Sequence, residues 1–197
     1  MVQMYKVFDS QNEVVFTNNE NYKSQNGDEK LLDTSLNRLP NDSKEKLVVY
    51  SEYPLKKLKS FYYDHQLIIA AGGLVRMNNK FLWIYRNGKW YLPKGKVEKD
   101  ETIKSAAKRE VLEECGLNGN LILREKIYAS YHTYVQHKNR ILKETHWFLM
   151  DYRCDEITIP QIKEGITEVC WKSLEQSNKL ASLSYPSISA VWDSYLN

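Results

Sequence analysis

The sequence has few cysteines, little net charge and no long apolar run. Its three cysteines, Cys115, Cys154 and Cys170, are widely spaced, which indicates neither a disulfide framework nor a zinc site. The net charge of +3 is too small to indicate a nucleic-acid-binding or membrane-surface protein. Residues 1–16 lack the apolar core of a signal peptide, and no segment is apolar enough to span a bilayer. We therefore expect a cytoplasmic protein with no membrane association and no stable nucleic-acid partner.

The composition predicts a globular protein in two parts. Hydrophobic residues make up 42% of the 197 residues and charged residues 27%, which is enough apolar material for a core. Residues 1–65 contain short strand-like runs, MYKVFD, EVVF and KLVVYS, around an Asn-rich stretch, and predict a small α/β unit of unknown role. In residues 66–197, strands and helices alternate without a regular βαβ rhythm, which favours a mixed sheet flanked by helices.

The segment TIKSAAKREVLEEC predicts one amphipathic helix. Apolar residues recur at spacings compatible with one buried stripe; they are Ile103, Ala106, Ala107, Val111 and Leu112. Thr102 or Asp100 can cap the N-terminus, and Gly116 can end the helix in a left-handed conformation.

Three acids crowd the last turns of this helix. Glu110, Glu113 and Glu114 stand at i, i+3 and i+4, so their side chains share one face. Each like-charged pair costs about 0.2–0.5 kcal/mol in an isolated helix, and the helix dipole disfavours negative charge at this end. A hard divalent cation such as Mg²⁺ or Mn²⁺ would make this cluster of acids favourable rather than unfavourable, because such cations prefer oxygen ligands. The alternative is a solvated acidic face.

The loop before the helix favours the metal interpretation. Gly95 lets the backbone approach a ligand closely, and Lys94 and Lys96 on either side of it could contact phosphate as point charges. Each lysine taken alone is more typical of an ordinary surface.

Together, loop and helix resemble the Nudix box. The resemblance covers Gly95 to Leu117 without a gap, with every fixed residue of the motif present. It implies a Nudix-type α/β/α sandwich with a mixed sheet over residues 66–197. The family hydrolyses a nucleoside diphosphate linked to another group X, with Mg²⁺ or Mn²⁺ as cofactor. The resemblance does not extend to residues 1–65.

The resemblance also implies roles for individual residues. Glu110, Glu113 and Glu114 correspond to metal ligands, and the Lys94 carbonyl corresponds to a backbone ligand. Glu110 is the candidate that orients or deprotonates the attacking water.

Two further motif residues correspond to groups that hold these acids in position, namely Arg109 and Glu101. One departure is visible, because many members carry glycine where this chain has Asp100.

Several residues outside the motif are weaker candidates. Glu144 and Glu164 could each supply an additional acid, although surface charge is the ordinary interpretation. Trp90, or its neighbour Tyr91, could stack on a base, with core packing expected for at least one of them. Tyr185 resembles a late aromatic that contacts the base in some dinucleoside polyphosphate hydrolases.

The substrate is less well specified than the reaction. The run WYLPKGKVE resembles the loop of diadenosine polyphosphate hydrolases and of some 8-oxo-dGTP sanitising members. We therefore expect a small-molecule nucleotide, with a nucleoside or dinucleoside polyphosphate (Ap4A-like, or an oxidised dNTP) as first choice. Sugar nucleotides, diphosphoinositol polyphosphates and RNA 5′ ends remain open. A catalytically silent nucleotide-sensing module is the alternative function, a protein-interaction role is a second one, and a homodimer is possible.

Overall fold

The structure is a computed structural model that describes residues 2–9, 12–25 and 46–197. The chain forms two compact units. The first comprises Met1–Ile68 and Tyr131–Lys143, and the second comprises Ile69–Ser130 and Glu144–Asn197. The first unit thus includes Tyr131–Lys143, which lies far along the sequence. The division predicted from the sequence, into two consecutive parts, places this segment in the second part. The predicted domain boundary between residues 65 and 66 stays a prediction.

The first unit is built on a small mixed sheet. Two of the predicted strands, β1 (Met4–Asp9) and β2 (Asn12–Thr17), form an antiparallel hairpin, and β3 (Lys46–Tyr50) lies parallel to β2. Helix α1 (Pro54–Phe61) buries Leu58 completely. The predicted Asn-rich loop includes a short 3-10 helix, Glu20–Gln25, and its residues 26–30 lie outside the described part of the chain.

The second unit contains the sheet on which the Nudix-like motif is built. Its strands are β4 (Gln66–Met77), β5 (Lys80–Arg86), β6 (Lys89–Tyr91), β7 (Lys94–Lys96), β8 (Asn120–Gln136), β9 (Asn139–Arg153) and β10 (Ile166–Ser173). The order is β10-β5-β4-β9-β8, with β6 paired to β5 and β7 paired to β4. Residues Tyr131–Lys143, where β8 and β9 meet, belong to the first unit.

Helices cover both faces of this second-unit sheet. Helix α2 (Ile103–Cys115) packs in a core cluster with Phe148 and Met150 of β9. Helices α3 (Leu174–Leu183) and α4 (Pro186–Leu196) pack in a second cluster with Trp147 and Leu149. Successive residues of β9 thus alternate between the two clusters, as the pleat requires. The predicted α/β/α sandwich with a mixed sheet is confirmed. Within the described residues, no helix has the length and apolar character that crossing a membrane requires.

Helix α2 begins and ends where the sequence predicts. The Thr102 hydroxyl accepts a hydrogen bond from the Ser105 backbone N–H at 3.1 Å, so Thr102 is the N-cap. Gly116 ends the helix with φ 61°. The last turn contains no basic residue, but backbone N–H groups of a following loop satisfy its carbonyls. Ile159 donates to Cys115 at 2.9 Å and Gln161 donates to Glu114 at 3.2 Å.

Gly116 is required for two separate reasons. Its φ is left-handed, which costs other residues about 1–2 kcal/mol, and a Cβ there would collide with the Ile159 backbone. We expect Gly116→Ala to lower the free energy of unfolding by more than Gly88→Ala. Gly88 has a φ of 77° but nothing within 4 Å of its Cβ position. Urea denaturation of the full chain measures both values, and equal losses would contradict the contact with Ile159.

Candidate active site

The three acids of helix α2 lie at different depths. The Glu114 side chain is 2% exposed, Glu110 is 14% exposed and Glu113 is 50% exposed. Glu114 thus lies beside the buried stripe that contains Val111 and Cys115. A carboxylate at such a position needs polar or positive partners, because burial penalises its charged form.

Glu114 finds its partners in the loop and on the sheet. Its Oε2 accepts the Lys94 backbone N–H at 2.7 Å, and its Oε1 lies 3.6 Å from Nη1 of Arg86. Burial nevertheless raises the pKa of Glu114 to about 7, with the nearby Glu110 contributing, while Lys94 and Arg86 act in the opposite direction. The helix therefore presents a desolvated carboxylate that additional positive charge would stabilise.

Glu110 lies directly against Gly95. A Cβ at position 95 would fall onto the Glu110 carboxylate, so only glycine leaves this space open. Burial raises the pKa of Glu110, while Arg109 lowers it. Strand β7, which contains Gly95, is paired to Ala70–Gly72 of β4. The pairing with β4 therefore holds the loop beside the turn of helix α2 that contains the acids.

Arg109 connects the loop to the helix. Its Nε and Nη2 donate to the two oxygens of Glu101, each at 2.9 Å, which is a bidentate pair. Its Nη1 donates to Glu110 at 2.8 Å and to Glu113 at 3.1 Å, and Nη2 also donates to the Lys96 carbonyl at 3.1 Å. These contacts, Glu101 foremost, raise the pKa of Arg109 above its ordinary value. Arg109 and Glu101 thus contact each other and Arg109 contacts the acids, while their role in orienting metal ligands stays a prediction.

The donor set fits a hard divalent cation in chemical type. The candidate ligands, namely the carboxylates of Glu110, Glu113 and Glu114 and the carbonyl of Lys94, are all oxygen donors. Within the described residues, however, no three His, Cys, Asp or Glu side chains converge closely enough to hold an ion. Glu110 and Glu113 are instead paired with Arg109. A cation would replace the guanidinium at these carboxylates, and the ligand roles stay predictions.

Arg86 is the site residue that sequence reasoning missed. It ends β5, and its Nη2 donates to Glu164 at 3.2 Å while Nη1 faces Glu114. The structure therefore links the predicted Glu164 to the site through Arg86. Only the position of Arg86 at a strand end, before the Asn87–Gly88 turn, could have indicated it from sequence, because its partners come from other elements.

The aromatic candidates separate into two groups. Tyr91 and Tyr185 have ring centroids 5.2 Å apart at 33°, and the Lys94 ammonium lies 5.9 Å from the Tyr91 ring centroid. Trp90 instead packs at 5.0 Å from Tyr85. The structure thus brings Tyr91 next to Tyr185 and leaves Trp90 beside Tyr85, and the base-binding role of Trp90, Tyr91 and Tyr185 stays a prediction.

Lysine side chains accompany both aromatic groups. The Lys89 ammonium lies 5.7 Å from the Tyr185 ring centroid, and the Lys172 ammonium lies 5.3 Å from that of Trp90. Cation–π contacts of this kind contribute about 0.5–1 kcal/mol at exposed positions. The surface beside the loop is therefore both aromatic and basic, which suits a ligand that carries a base and phosphates.

Two other sequence predictions have structural context. Glu144 is only 7% exposed, and its Oε1 lies 3.1 Å from Nε2 of His146, so its surface interpretation is wrong, while its role as an additional acid stays a prediction. Asp100 adopts φ 64°, which explains why glycine suits this position. Aspartate tolerates the left-handed region better than most residues.

Comparison with known proteins agrees with this geometry. The family described as NUDIX domain matches residues 66–190. Over 91 residues the chain is 29% identical to mRNA-decapping enzyme subunit 2 of Arabidopsis thaliana, a match that covers 46% of this chain and 23% of that relative. The chain therefore spans less than a quarter of the length of that relative.

Two solved structures share the fold. A C. elegans Ap4A hydrolase binary complex is 21% identical, with TM-score 0.51, and the match covers 66% of this chain and 95% of that one. The E. coli ORF135 protein is 19% identical, with TM-score 0.52, and the match covers 67% and 90%. At these identities the likeness concerns the fold alone. Because the family match spans well over half of the sequence and contains the whole Gly95–Leu117 motif, the predicted family is confirmed, and the chain belongs to the NUDIX domain family.

Proposed function

We propose that this chain hydrolyses a phosphoanhydride bond in a nucleoside diphosphate linked to a group X, with Mg²⁺ or Mn²⁺ as cofactor. The observation that carries the proposal is the contact of the Glu-bearing helix with the glycine loop. Glu114 accepts the Lys94 backbone N–H, and Glu110 occupies the space that Gly95 leaves open. Carboxylates and a backbone carbonyl are thereby held within one small region of the second unit.

Each acid has a proposed role. Glu110, Glu113, Glu114 and the Lys94 carbonyl hold the cation, which supplies charge neutralisation and a lowered water pKa when it is bound. Glu110 orients the attacking water and accepts its proton. The water oxygen forms a bond to one phosphorus, the bridging P–O bond breaks, and the departing phosphate group leaves with the bridging oxygen.

Surrounding residues position these groups and the substrate. Arg109 keeps the acids oriented while Glu101 holds its guanidinium by two hydrogen bonds. The ammonium groups of Lys94 and Lys96 are the proposed phosphate contacts, and the Tyr91–Tyr185 pair is the proposed base contact.

A nucleoside or dinucleoside polyphosphate is the proposed substrate class. The aromatic pair beside two lysines suits a base followed by several phosphates. The fold likeness to a structure named an Ap4A hydrolase is consistent with this class. The relative named an mRNA-decapping enzyme keeps capped RNA 5′ ends among the compounds to be tested. A cytoplasmic location and a homodimer stay predictions.

One observation favours the alternative, a catalytically silent nucleotide sensor. Arg109 already neutralises Glu110 and Glu113, so these carboxylates could remain paired when a nucleotide binds. Turnover distinguishes the two functions, because a sensor binds nucleotide and releases no phosphate product.

The first prediction about activity concerns Glu114. We expect Glu114→Gln to lower metal-dependent hydrolysis on the order of 100-fold or more, because the amide removes a buried negative charge that a cation needs. The assay follows product release from dinucleoside, oxidised, sugar and capped nucleotides with Mg²⁺ or Mn²⁺. Glu175→Gln is the matched control, since Glu175 lies on the exposed side of helix α3 and pairs with Lys179. Unchanged turnover in Glu114→Gln, or tight binding without turnover in the wild type, would contradict the proposal.

The second prediction concerns Gly95. We expect Gly95→Ala to abolish most of the hydrolytic activity, because the new Cβ displaces the Glu110 carboxylate. We expect the same substitution to affect the melting temperature much less than the activity. Gly88→Ala is the control for a glycine whose Cβ position is open. Activity assays and thermal melts on the same preparations give both values. An active Gly95→Ala enzyme would show that Glu110 need not stay against the loop.

The third prediction separates a catalytic Glu164 from one that only positions Arg86. Because Arg86 bridges Glu114 and Glu164, we expect Arg86→Gln to lower kcat/KM about tenfold. If Glu164 acts only through Arg86, Glu164→Gln adds no further loss in the Arg86→Gln background. A double-mutant cycle on kcat/KM measures this coupling. Additive losses would mean that Glu164 acts on the substrate independently.

A further inference from the structure

A polar cavity of about 320 Å³ lies in the second unit, where β4 and β9 end. Arg76 and Met77 are the last residues of β4, and Asp151 and Arg153 lie at the end of β9. Tyr195 of helix α4 also lines it. The volume is at the lower end of the range for small-molecule sites, roughly 300–1,000 Å³. None of the residues assigned above to hydrolysis lines this cavity.

The Asp151 carboxylate in the lining holds Arg76, which also lines the cavity, and Arg124, which does not. Arg76 donates from Nε to Oδ1 of Asp151, and Arg124 donates from Nε to Oδ2, each at 2.6 Å. Asp151 thus engages one N–H of each guanidinium, and a guanidinium has five. These contacts raise the pKa of Arg76 and lower that of Asp151, so the charges persist at neutral pH.

The charge of the cavity is unbalanced. Arg153 lines it and is exposed, and within the described part of the chain no ion pair involves this side chain. The lining thus contains two arginines, Arg76 and Arg153, and one carboxylate, Asp151, which also pairs with Arg124 outside the lining. Such an excess of guanidinium is stabilised by an anion, and the planar fork of arginine matches the oxygens of a phosphate group.

The turn between β4 and β5 adds neutral donors. Asn78 and Asn79 both line the cavity and adopt left-handed φ values of 48° and 60°, as in a tight two-residue hairpin turn. Each side-chain amide offers two N–H donors. Phe81, which is 5% exposed, provides an apolar part of the lining.

We propose that this cavity binds a small phosphomonoester at a site separate from the hydrolytic one. The phosphate group contacts Arg76 and Arg153, and the organic part of the ligand lies towards Phe81 and Tyr195. The volume admits a ligand of the size of a pentose phosphate and is too small for a dinucleotide. The proposed phosphate contacts are arginine side chains rather than a metal ion. Ligand binding in this cavity therefore does not depend on the metal that hydrolysis needs.

The test measures binding of ribose 5-phosphate and of inorganic phosphate to the full chain in EDTA, by calorimetry and by the shift in melting temperature. We expect saturable binding of ribose 5-phosphate, weakened about tenfold or more in Arg153→Gln, because one charged hydrogen-bond donor is lost. Lys179→Gln removes the same charge outside the cavity and is the matched control. Inorganic phosphate alone distinguishes a site for the free ion from one that also uses the organic part.

Arg153→Gln is chosen because the variant breaks no ion pair of the described residues and so leaves the unliganded melting temperature unchanged. Equal affinity for ribose 5-phosphate in Arg153→Gln and the wild type would overturn the proposal, as would the absence of saturable binding. In either case the arginines serve only to join the ends of the two strands through Asp151. Inorganic phosphate that binds as tightly as ribose 5-phosphate would overturn the part of the proposal that assigns the organic group to Phe81 and Tyr195.

Discussion

The burial of one carboxylate against a glycine loop determines how the candidate site is built. Glu114 lies among apolar residues of helix α2, and its charge is supported by the Lys94 backbone N–H and by Arg86. A buried unpaired carboxylate costs several kcal/mol. The contact is therefore informative, because a chain selected for helix stability alone would place an apolar residue there. Loop, strand end and helix must all be in register for Glu114 to keep its partners.

Arg109 makes the same region rigid from the outer side. Its guanidinium reaches Glu101 before the helix, Glu110 and Glu113 on the helix, and the Lys96 carbonyl in the loop. Because each contact uses a different N–H or edge of one planar group, the loop cannot move without breaking several hydrogen bonds. The same contacts neutralise Glu110 and Glu113, which are two of the proposed metal ligands. Arg109 and the cation therefore compete for these two carboxylates.

Much of this arrangement could be predicted from local sequence. The bounds of helix α2, its Thr102 cap and its Gly116 stop follow from periodicity and capping chemistry, which act within a few residues. The continuous Gly95–Leu117 motif predicted the family for the same reason. Tyr185 lies far from the motif in sequence, and the structure places its ring next to that of Tyr91. Its contact with the base stays a prediction.

Other features depend on contacts between distant segments, which a single sequence does not reveal. Arg86 meets Glu164 because β5 pairs with β10, and it meets Glu114 because helix α2 packs against the sheet that contains β5. The inclusion of Tyr131–Lys143 in the first unit follows from the parallel pairing of β1 with β8. Trp90 and Tyr91 are neighbours in sequence, and strand geometry, rather than residue type, decides which of them faces Tyr185.

The central claim is that the acids of helix α2 and the Lys94 carbonyl hold a divalent cation beside the substrate phosphates. Anomalous diffraction from crystals soaked with Mn²⁺ and a non-hydrolysable nucleotide tests it most directly. We expect an anomalous peak bonded to oxygens of Glu110 and Glu114, with Arg109 withdrawn from Glu110 and still paired with Glu101. Nucleotide density without such a peak, or Mn²⁺ bound only elsewhere, would contradict it.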